Sequence, residues 1–214
     1  MTGYPGKRLL DLTLAIPALV ALGPLMAVLA VVIARRMGRP VLFKQSRPGL
    51  HERPFNACKF RSMTNAADAN GVPLPDSERL TPLGRFLRDS SLDELPGLFN
   101  VIKGDMSLVG PRPLLFKYLP HYTERERTRA NVRPGLTGWA QINGRNDLPW
   151  DDRLECDAWY VEHCSLGLDV KILLKTVAKV LKRSGVQVDT RAGGEPDFSV
   201  ERSCGTNASR GYSS

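Results

Sequence analysis

Two adjacent carboxylates, Asp93 and Glu94, are the side chains of this sequence best suited to chemistry. They lie in the otherwise uncharged run S-S-L-D-E-L-P-G-L-F-N-V-I, and cations stand on both sides of it: Arg85, Arg88, Lys103 and Arg112. Helical neighbours point about 100° apart, so the two acids would have separate tasks, one facing a substrate and one holding a metal or proton. Acids among cations, beside Gly- and Pro-rich backbone, indicate a site for a phosphorylated ligand.

The same acids also fit a helix cap. Ser91-Leu92-Asp93-Glu94 matches a capping box, with Ser91 as N-cap and Glu94 at the third helical position. In that register Pro96 falls beyond the first turn, where it loses a hydrogen bond and crowds the preceding carbonyl. Because conflicts between local rules mark functional or strained sites, the sequence favours a functional pair.

Arg112 is the next candidate, since Pro111 and Pro113 bias its backbone to extended conformations. A rigidly presented guanidinium suits bidentate binding of phosphate. A surface arginine in a proline-rich loop explains the pattern equally well. A second stretch, N-V-R-P-G-L-T-G-W-A-Q-I-N-G-R-N, places glycines beside Arg133 and Arg145 and again suits phosphate. Its Pro-Gly pair at 134–135 predicts a type II turn.

Composition indicates the class of partner. The 214 residues carry a net charge of +8, which is compatible with nucleic acid, an anionic membrane or phosphorylated substrates. No recognised nucleic-acid motif is present, so nucleic acid is not expected as a partner. The cysteines lack metal-binding spacing and are predicted to be reduced thiols: Cys58, Cys156, Cys164 and Cys204.

Residues 12–34 carry no charge, and a helix of that length, about 35 Å, can span a bilayer core. Lys7 and Arg8 precede this run and three arginines follow it, so the positive-inside rule places both ends on the cytoplasmic side. Gly23 and Pro24 lie at its middle and allow a bend. The sequence therefore predicts a re-entrant helix, although a kinked spanning helix fits equally well. Asp11 is expected to pair with a cation at the membrane interface.

The other elements follow from periodicity and turn residues. A β-hairpin is predicted at 41–47 and 54–61, a loop at 64–78 and helical spacing from 80 to 87. A helix is expected from 113 to 129, ending in the solvated run E-R-E-R-T-R, and a shorter one near 150–163. Residues 169–183 predict a basic amphipathic helix lying on an anionic membrane, with one apolar side formed by Ile172, Leu173, Val177, Val180 and Leu181. From 185 onward a partly ordered tail is expected.

Several motifs together resemble the bacterial sugar transferases of the monotopic phosphoglycosyl transferase type. The resemblance covers Lys7 to about Val186 and rests on K-R-x-x-D, Q-x-R-P-G, K-F-R-S-M, S-L-D-E-L, N-V-I-K-G-D-M-S-L-V-G-P-R-P, R-P-G-L-T-G-W-A-Q-I-N-G-R-N and L-D-V-K-I-L. P-L-L-F-K-Y-L-P-H-Y is similar to the PglC type, which acts in bacillosamine-containing glycan assembly.

The resemblance implies a mainly helical α+β, monotopic membrane protein of the bacterial inner membrane, with its active site on the cytoplasmic face. Residues 1–39 would form the re-entrant helix with its flanks, 40–185 the catalytic domain and 186–214 the tail. Lys7, Arg8, Gly23 and Pro24 would serve membrane anchoring and the helix break. In relatives that break is a Ser-Pro pair, for which Gly23-Pro24 stands here.

The implied reaction transfers a sugar 1-phosphate from a UDP-sugar to undecaprenyl or another polyprenyl phosphate and releases UMP. Asp93 would attack the sugar-bearing phosphate and form a covalent phosphosugar intermediate, and Glu94 would complete the dyad. Mg²⁺ is the implied cofactor, with Asp93 and Glu94 as ligands. The implied phosphate contacts are Lys59, Arg88, Arg112 and Arg145. The donor suggested first is UDP-N,N′-diacetylbacillosamine, with other UDP-N-acetyl sugars as alternatives. A basic membrane-surface binding module without catalysis remains the rival interpretation.

Overall fold

The computed structural model describes residues 3–144, 148–182 and Phe198. The α-helices of this part of the chain are α1 Lys7–Met37, α2 Asp76–Arg79, α3 Pro82–Asp89, α4 Gly97–Lys103, α5 Glu124–Arg127, α6 Trp139–Asn143, α7 Trp150–His163 and α8 Leu166–Lys182. The strands are β1 Leu42–Pro48, β2 Pro54–Phe60, β3 Ser107–Val109 and β4 Gly135–Thr137. Single 3₁₀ segments lie at Leu50–Glu52, Leu92–Glu94, Phe116–His121 and Thr128–Asn131.

The mainly helical α+β class is confirmed, and so is the β-hairpin. Strands β1 and β2 pair antiparallel, with Leu42 opposite Phe60 and Pro48 opposite Pro54, within one residue of the predicted ends. A second pair, β3 and β4, is parallel. The hairpin was predictable because short apolar strands flank a Pro-Gly turn signal, whereas three-residue parallel strands leave no such pattern.

Helix α1 is the one helix in the described residues that is long and apolar enough to cross a membrane. It begins five residues before the predicted apolar run, at Lys7, and the helical backbone continues through Pro17 and Pro24. The expected change of direction at Gly23-Pro24 would thus be a bend within one helix, and it stays a prediction.

The start of α1 is fastened to the rest of the protein by two cations. Lys7 is buried and forms a salt bridge of 2.5 Å with Asp169 at the start of α8. Arg8 donates to the carbonyl oxygens of Val101 and Ile102, at 2.5 and 2.6 Å, near the end of α4. Both cations therefore bind protein groups at this end of the helix.

The two ends of α1 contact the same body of protein. Near its start, Asp11 accepts hydrogen bonds from Ser107 Oγ at 2.9 Å and from the Leu108 amide at 2.8 Å. The expected pairing of Asp11 with a cation is wrong, because the carboxylate binds strand β3 instead. Past the helix end, Arg61 donates to the carbonyl oxygens of Met37, Gly38 and Arg39. Arg61 thereby satisfies carbonyls that have no partner within the helix.

Between these ends α1 packs along the core and leaves an apolar outer side. Ala15 belongs to the main core cluster with α4, β3 and α7, while Met26, Leu29 and Ile33 pack with Phe60 and Leu87. The outer side exposes large apolar residues: Leu14, Ile16, Val20, Leu25, Val28 and Val31.

The residues predicted to form the apolar side of α8 lie in two different environments. Ile172 is fully buried, whereas Val177 is 58% exposed. The outer apolar side is formed by Leu166, Val170, Leu174, Val177 and Val180. The side chain of Leu181 lies outside the described residues. Lys171 and Lys175 lie on another side, where their ammonium groups are 5.6 and 5.9 Å from the centre of the Trp139 ring.

Two other predictions need correction, and the tail prediction is tested at one residue only. Residues 113–129 form a 3₁₀ segment and the single turn α5, because Pro120 and the capping box at Thr123 interrupt a longer helix. The predicted loop at 64–78 contains the start of α2. In the predicted tail, Phe198 is fully buried against Tyr118, Tyr122 and Trp150. The other tail residues, and Cys204, lie outside the described residues, and Cys58, Cys156 and Cys164 are free thiols.

Candidate active site

Asp93 lies at the wall of a cleft of about 1570 Å³. It belongs to the 3₁₀ turn Leu92–Glu94 between α3 and α4 and is 8% exposed. Within the part of the chain that the structure describes, its carboxylate has no hydrogen bond or salt bridge. Ser91, directly before this turn, has a left-handed backbone with φ 56°. Such a conformation is strained in a residue other than glycine, and strain of this kind concentrates at functional sites.

The capping-box interpretation is wrong. The Ser91 side chain caps no backbone amide, and the turn that follows is only one 3₁₀ segment long. Pro96 lies immediately before α4, with φ −61°, where a helix can begin without the missing N–H. The apparent conflict of Pro96 with a helix disappears because the helix starts after the acid pair.

Glu94 is held by two cations. Lys59 Nζ and Arg112 Nη2 both bind Glu94 Oε1, at 2.9 and 2.8 Å. Burial by itself would raise the pKa of Glu94, but the charges of Arg112 and Lys59 outweigh burial and lower that pKa. Glu94 is therefore an anion whose role is to hold these two cations at the cleft.

Asp93 differs from its neighbour in charge environment. Burial raises the pKa of Asp93, and the negative charge of Glu94 raises it further. Lys59, Arg112 and Arg88 act in the opposite direction without cancelling the rise. A carboxylate that is desolvated and unpaired is more nucleophilic than one held by cations, so the two acids differ in the chemistry open to them.

Arg88 is placed at the cleft by α3. Its Nε donates to Ser62 Oγ at 2.9 Å, just after strand β2. Gly84, in the same helix, lies so close to this segment that an added Cβ would stand 1.7 Å from the Ser62 carbonyl oxygen. A glycine is required there because any side chain would push α3, and Arg88 with it, away from β2.

Arg112 is positioned by the close packing of two glycine backbones, Gly110 after β3 and Gly135 at the start of β4. Gly110 donates to the Thr137 carbonyl at 2.9 Å, and Gly135 donates to the Pro111 carbonyl at 2.9 Å. An added Cβ on Gly135 would stand 2.1 Å from the Gly110 nitrogen. The predicted type II turn at 134–135 is wrong. Gly135 has no positive φ and starts β4, so its glycine serves close approach rather than turn geometry.

Behind Arg112 lies a buried ion pair that the sequence did not indicate. Arg129 donates to Asp157 Oδ2 at 2.7 Å, to Tyr122 Oη at 2.8 Å and to the Arg112 carbonyl at 2.6 Å. The prediction that E-R-E-R-T-R is a solvated face is wrong for Glu126 and Arg129, which are both buried. The run E-R-E-R-T-R does not indicate that Arg129 pairs with Asp157, which lies 28 positions later in the chain.

The structure brings Lys59, Arg88 and Arg112 together around the dyad, as predicted, and adds a cation that the sequence analysis did not assign. Arg47 of the Q-x-R-P-G motif lines the same cleft, and its Nη2 donates to Gln45 Oε1 at 2.6 Å. Burial and the charge of Arg112 lower the pKa of Arg47. In the sequence, the Q-x-R-P-G motif was the only feature that could have indicated Arg47 as a site residue. Arg145 lies outside the described residues.

A divalent cation would rely on few protein ligands here. Among the described residues no group of three or more His, Cys, Asp and Glu side chains is close enough to hold a metal. Among the described residues, the unpaired oxygens of Asp93 and Oε2 of Glu94 are the available donors, since the two cations bind Glu94 Oε1. Mg²⁺ commonly binds one or two carboxylates and completes its shell with water and substrate phosphates, so this donor set fits Mg²⁺.

Comparisons with known proteins show the family of this chain. Residues 3–183 match the family profile described as Bacterial sugar transferase. The chain is 54% identical over 181 residues to the uncharacterized sugar transferase EpsL of Bacillus subtilis, covering 85% of this chain and 90% of that protein.

Longer relatives match over the same region. Identity is 39% to the undecaprenyl-phosphate galactose phosphotransferase of Salmonella typhimurium, over 84% of this chain and 41% of that protein. It is 42% to the UDP-glucose:undecaprenyl-phosphate glucose-1-phosphate transferase of Xanthomonas campestris, over 82% of this chain and 38% of that protein. The chain thus spans about two fifths of the length of these two relatives. On this match and the geometry above, the chain belongs to the bacterial sugar transferase family.

Proposed function

We propose that this protein transfers a sugar 1-phosphate from a UDP-sugar to a polyprenyl phosphate, for which undecaprenyl phosphate is the expected acceptor, and releases UMP. The observation that carries the proposal is that the two acids of the dyad have different partners. Asp93 presents an unpaired carboxylate to the cleft, while Glu94 is neutralised by Lys59 and Arg112. A nucleophile beside fixed cations is what two successive phosphoryl transfers require.

In the first step an Asp93 oxygen attacks the sugar-bearing phosphorus. A new bond forms between that oxygen and phosphorus, the bond to the bridging oxygen breaks, and the bridging oxygen leaves on UMP. In the second step an oxygen of the polyprenyl phosphate attacks the same phosphorus. The bond to Asp93 breaks, the carboxylate is regenerated, and the product is a polyprenyl diphosphate sugar.

The cations of the cleft would stabilise charge on the transferring group. Arg112 and Lys59 are already oriented by Glu94, and Arg88 is oriented by Ser62, so little reorganisation is needed during reaction. We place Arg145 with them from its motif. Asp93 and Glu94 would hold Mg²⁺ through their free oxygens, and the ion would supply further neutralisation of phosphate charge.

Apolar side chains line part of the cleft through which a lipid acceptor would reach Asp93. The cleft that contains Asp93 is also lined by Leu22 of α1 and by Leu173 and Val180 of α8. The outer sides of both helices are apolar and exposed. A polyprenyl chain lying among membrane lipids could therefore bring its phosphate to the cleft along these helices.

We also propose that α1 is re-entrant and that the site faces the cytoplasm at the inner membrane. Support comes from both ends of α1, which contact the same body of protein through Arg8 and Arg61. A helix that crossed the membrane would hold its two ends on opposite sides. Cysteine accessibility tests this topology: a cysteine placed at Gly3 should be reachable only from the cytoplasmic side, and labelling only from outside the cell would contradict re-entry.

The donor is proposed as a UDP-N-acetyl sugar, with UDP-N,N′-diacetylbacillosamine as the first candidate from the motif after Arg112. Relatives are named for galactose, for glucose and, in Aeromonas hydrophila, for N-acetylgalactosamine. A donor panel should therefore include these UDP-sugars.

The test is nucleotide release by detergent-solubilised protein with Mg²⁺ and undecaprenyl phosphate. UMP formed by the wild type and lost in Asp93→Asn supports the proposal. UDP would indicate ordinary glycosyl transfer. Lipid phosphate binding with neither nucleotide released from any donor would favour the non-catalytic membrane-binding module.

A further inference from the structure

Part of the cleft lining is polar and comes from α6 and α7. Gln141 of α6 and Trp150, Arg153 and Asp157 of α7 form this polar wall. The three α7 residues follow one another at spacings of three and four, so they lie on one side of the helix. The nucleophile mechanism uses none of these side chains.

Two buried residues of this wall have polar atoms without a hydrogen-bond partner among the described residues. Gln141 is 9% exposed, and neither its amide nitrogen nor its amide oxygen has a hydrogen-bond partner among the described residues. Asp157 is 2% exposed, and its Oδ1 is likewise unpartnered within residues 3–144 and 148–182, whereas Oδ2 binds Arg129. An unsatisfied buried polar group is destabilising, so such groups call for an explanation.

This wall is joined to the dyad through Arg112. The Arg112 side chain binds Glu94 at 2.8 Å, and its carbonyl accepts from Arg129 at 2.6 Å, which in turn binds Asp157 at 2.7 Å. The negative charge of Asp157 also contributes to raising the pKa of Arg112. Because Gln141 and Asp157 line the same cleft as Arg112, a ligand whose phosphates lie at Arg112 can bring its remaining part to them.

We propose that Gln141 and Asp157 form the subsite for the nucleoside of the donor. The uracil ring offers an N3–H donor beside carbonyl acceptors, and one glutamine amide offers the complementary acceptor and donor. The last torsion of a glutamine side chain is broad, so its amide can turn toward the cleft at little cost. Asp157 Oδ1 accepts a hydrogen bond from a ribose hydroxyl. This inference rests on the proposed function and assigns the base-reading residue within it.

The test is equilibrium binding of UMP and N3-methyl-UMP to the full chain, in wild type and in Gln141→Met. Wild type should bind UMP about 5- to 150-fold more tightly than the methylated analogue, the range for a bidentate amide pair. Gln141→Met should weaken UMP binding by a similar factor and bind both nucleotides equally. Because it removes an unsatisfied buried amide, its Tm should stay equal or rise, which a purely structural role would not produce.

Asn143→Ala is the matched control, since Asn143 carries an exposed amide on the same helix and should leave the preference unchanged. A Gln141→Met protein that keeps the preference for UMP over N3-methyl-UMP would overturn the assignment. Wild type that binds 2′-deoxy-UMP and 3′-deoxy-UMP both as tightly as UMP would overturn the role of Asp157. Failure of the proposed function would be seen separately, as absence of UMP release by the wild type.

Discussion

Lys59 and Arg112 bind the same oxygen atom of Glu94, at 2.9 and 2.8 Å, although they lie 35 and 18 positions from it in the chain. Because both cations bind Glu94, the carboxylate of the adjacent Asp93 has no partner among the described residues. The two carboxylates are thus made different by what surrounds them, which is how one acid can act as a nucleophile while its neighbour holds cations in place.

Replacing Glu94 with glutamine should impair turnover without unfolding the protein. Gln keeps the shape but removes the charge that orients Lys59 and Arg112, and hydrogen bonds to charged groups contribute about 1.5–3 kcal/mol. We expect kcat/KM to fall roughly 10- to 150-fold. Glu155→Gln is the control, since it breaks an exposed ion pair with Arg125 that should matter little. Equal effects of the two substitutions would contradict the role of Glu94.

Activity should fall on acidification at a pH above the ordinary range for an aspartate. Burial raises the pKa of Asp93, and the carboxylate attacks only when deprotonated, so activity is present above that pKa and lost below it. Arg88→Gln removes a cation that opposes the rise. The acid limb of kcat/KM should therefore move to higher pH in this variant. An acid limb that stays in place or moves to lower pH would show that Asp93 does not govern it.

The buried salt bridge between Lys7 and Asp169 should be needed to hold the start of α1. Lys7→Met leaves the Asp169 carboxylate buried without its cation, which we expect to cost about 3–5 kcal/mol of unfolding free energy. Adding Asp169→Leu should recover much of that loss, because it removes the isolated charge. Thermal unfolding of the single and double variants gives the coupling between them, and strictly additive losses would argue against a direct pair.

The outer side of α8 should bind the membrane. Val177→Asp places a charge on that side, so less protein should sediment with anionic vesicles. Val72→Asp is a matched control, because Val72 and Val177 are both 58% exposed but Val72 lies in the polar region before α2. If both variants lost vesicle binding equally, the outer side of α8 would not be the membrane contact.

The sequence predicted the elements that depend on neighbouring residues and missed the contacts between residues far apart in the chain. The hairpin, α1 and α8 follow from periodicity and turn residues within a few positions of one another. Gly135 was interpreted as a turn residue because its requirement comes from Gly110, across a parallel strand pair. Arg129 was interpreted as solvated because Asp157 lies on another helix. Asp93 and Glu94 were found because they are adjacent, but only the fold shows which of them is unpaired.

The most direct test of the account is to look for the covalent intermediate. Protein is incubated with Mg²⁺ and the UDP-sugar that supports release of UMP, in the absence of lipid acceptor, and intact and peptide masses are measured. We expect an increase equal to one sugar phosphate, located on Asp93, absent in Asp93→Asn and removed when undecaprenyl phosphate is added. An adduct that persists in Asp93→Asn, or lipid-dependent UMP release with no adduct in the wild type, would contradict it.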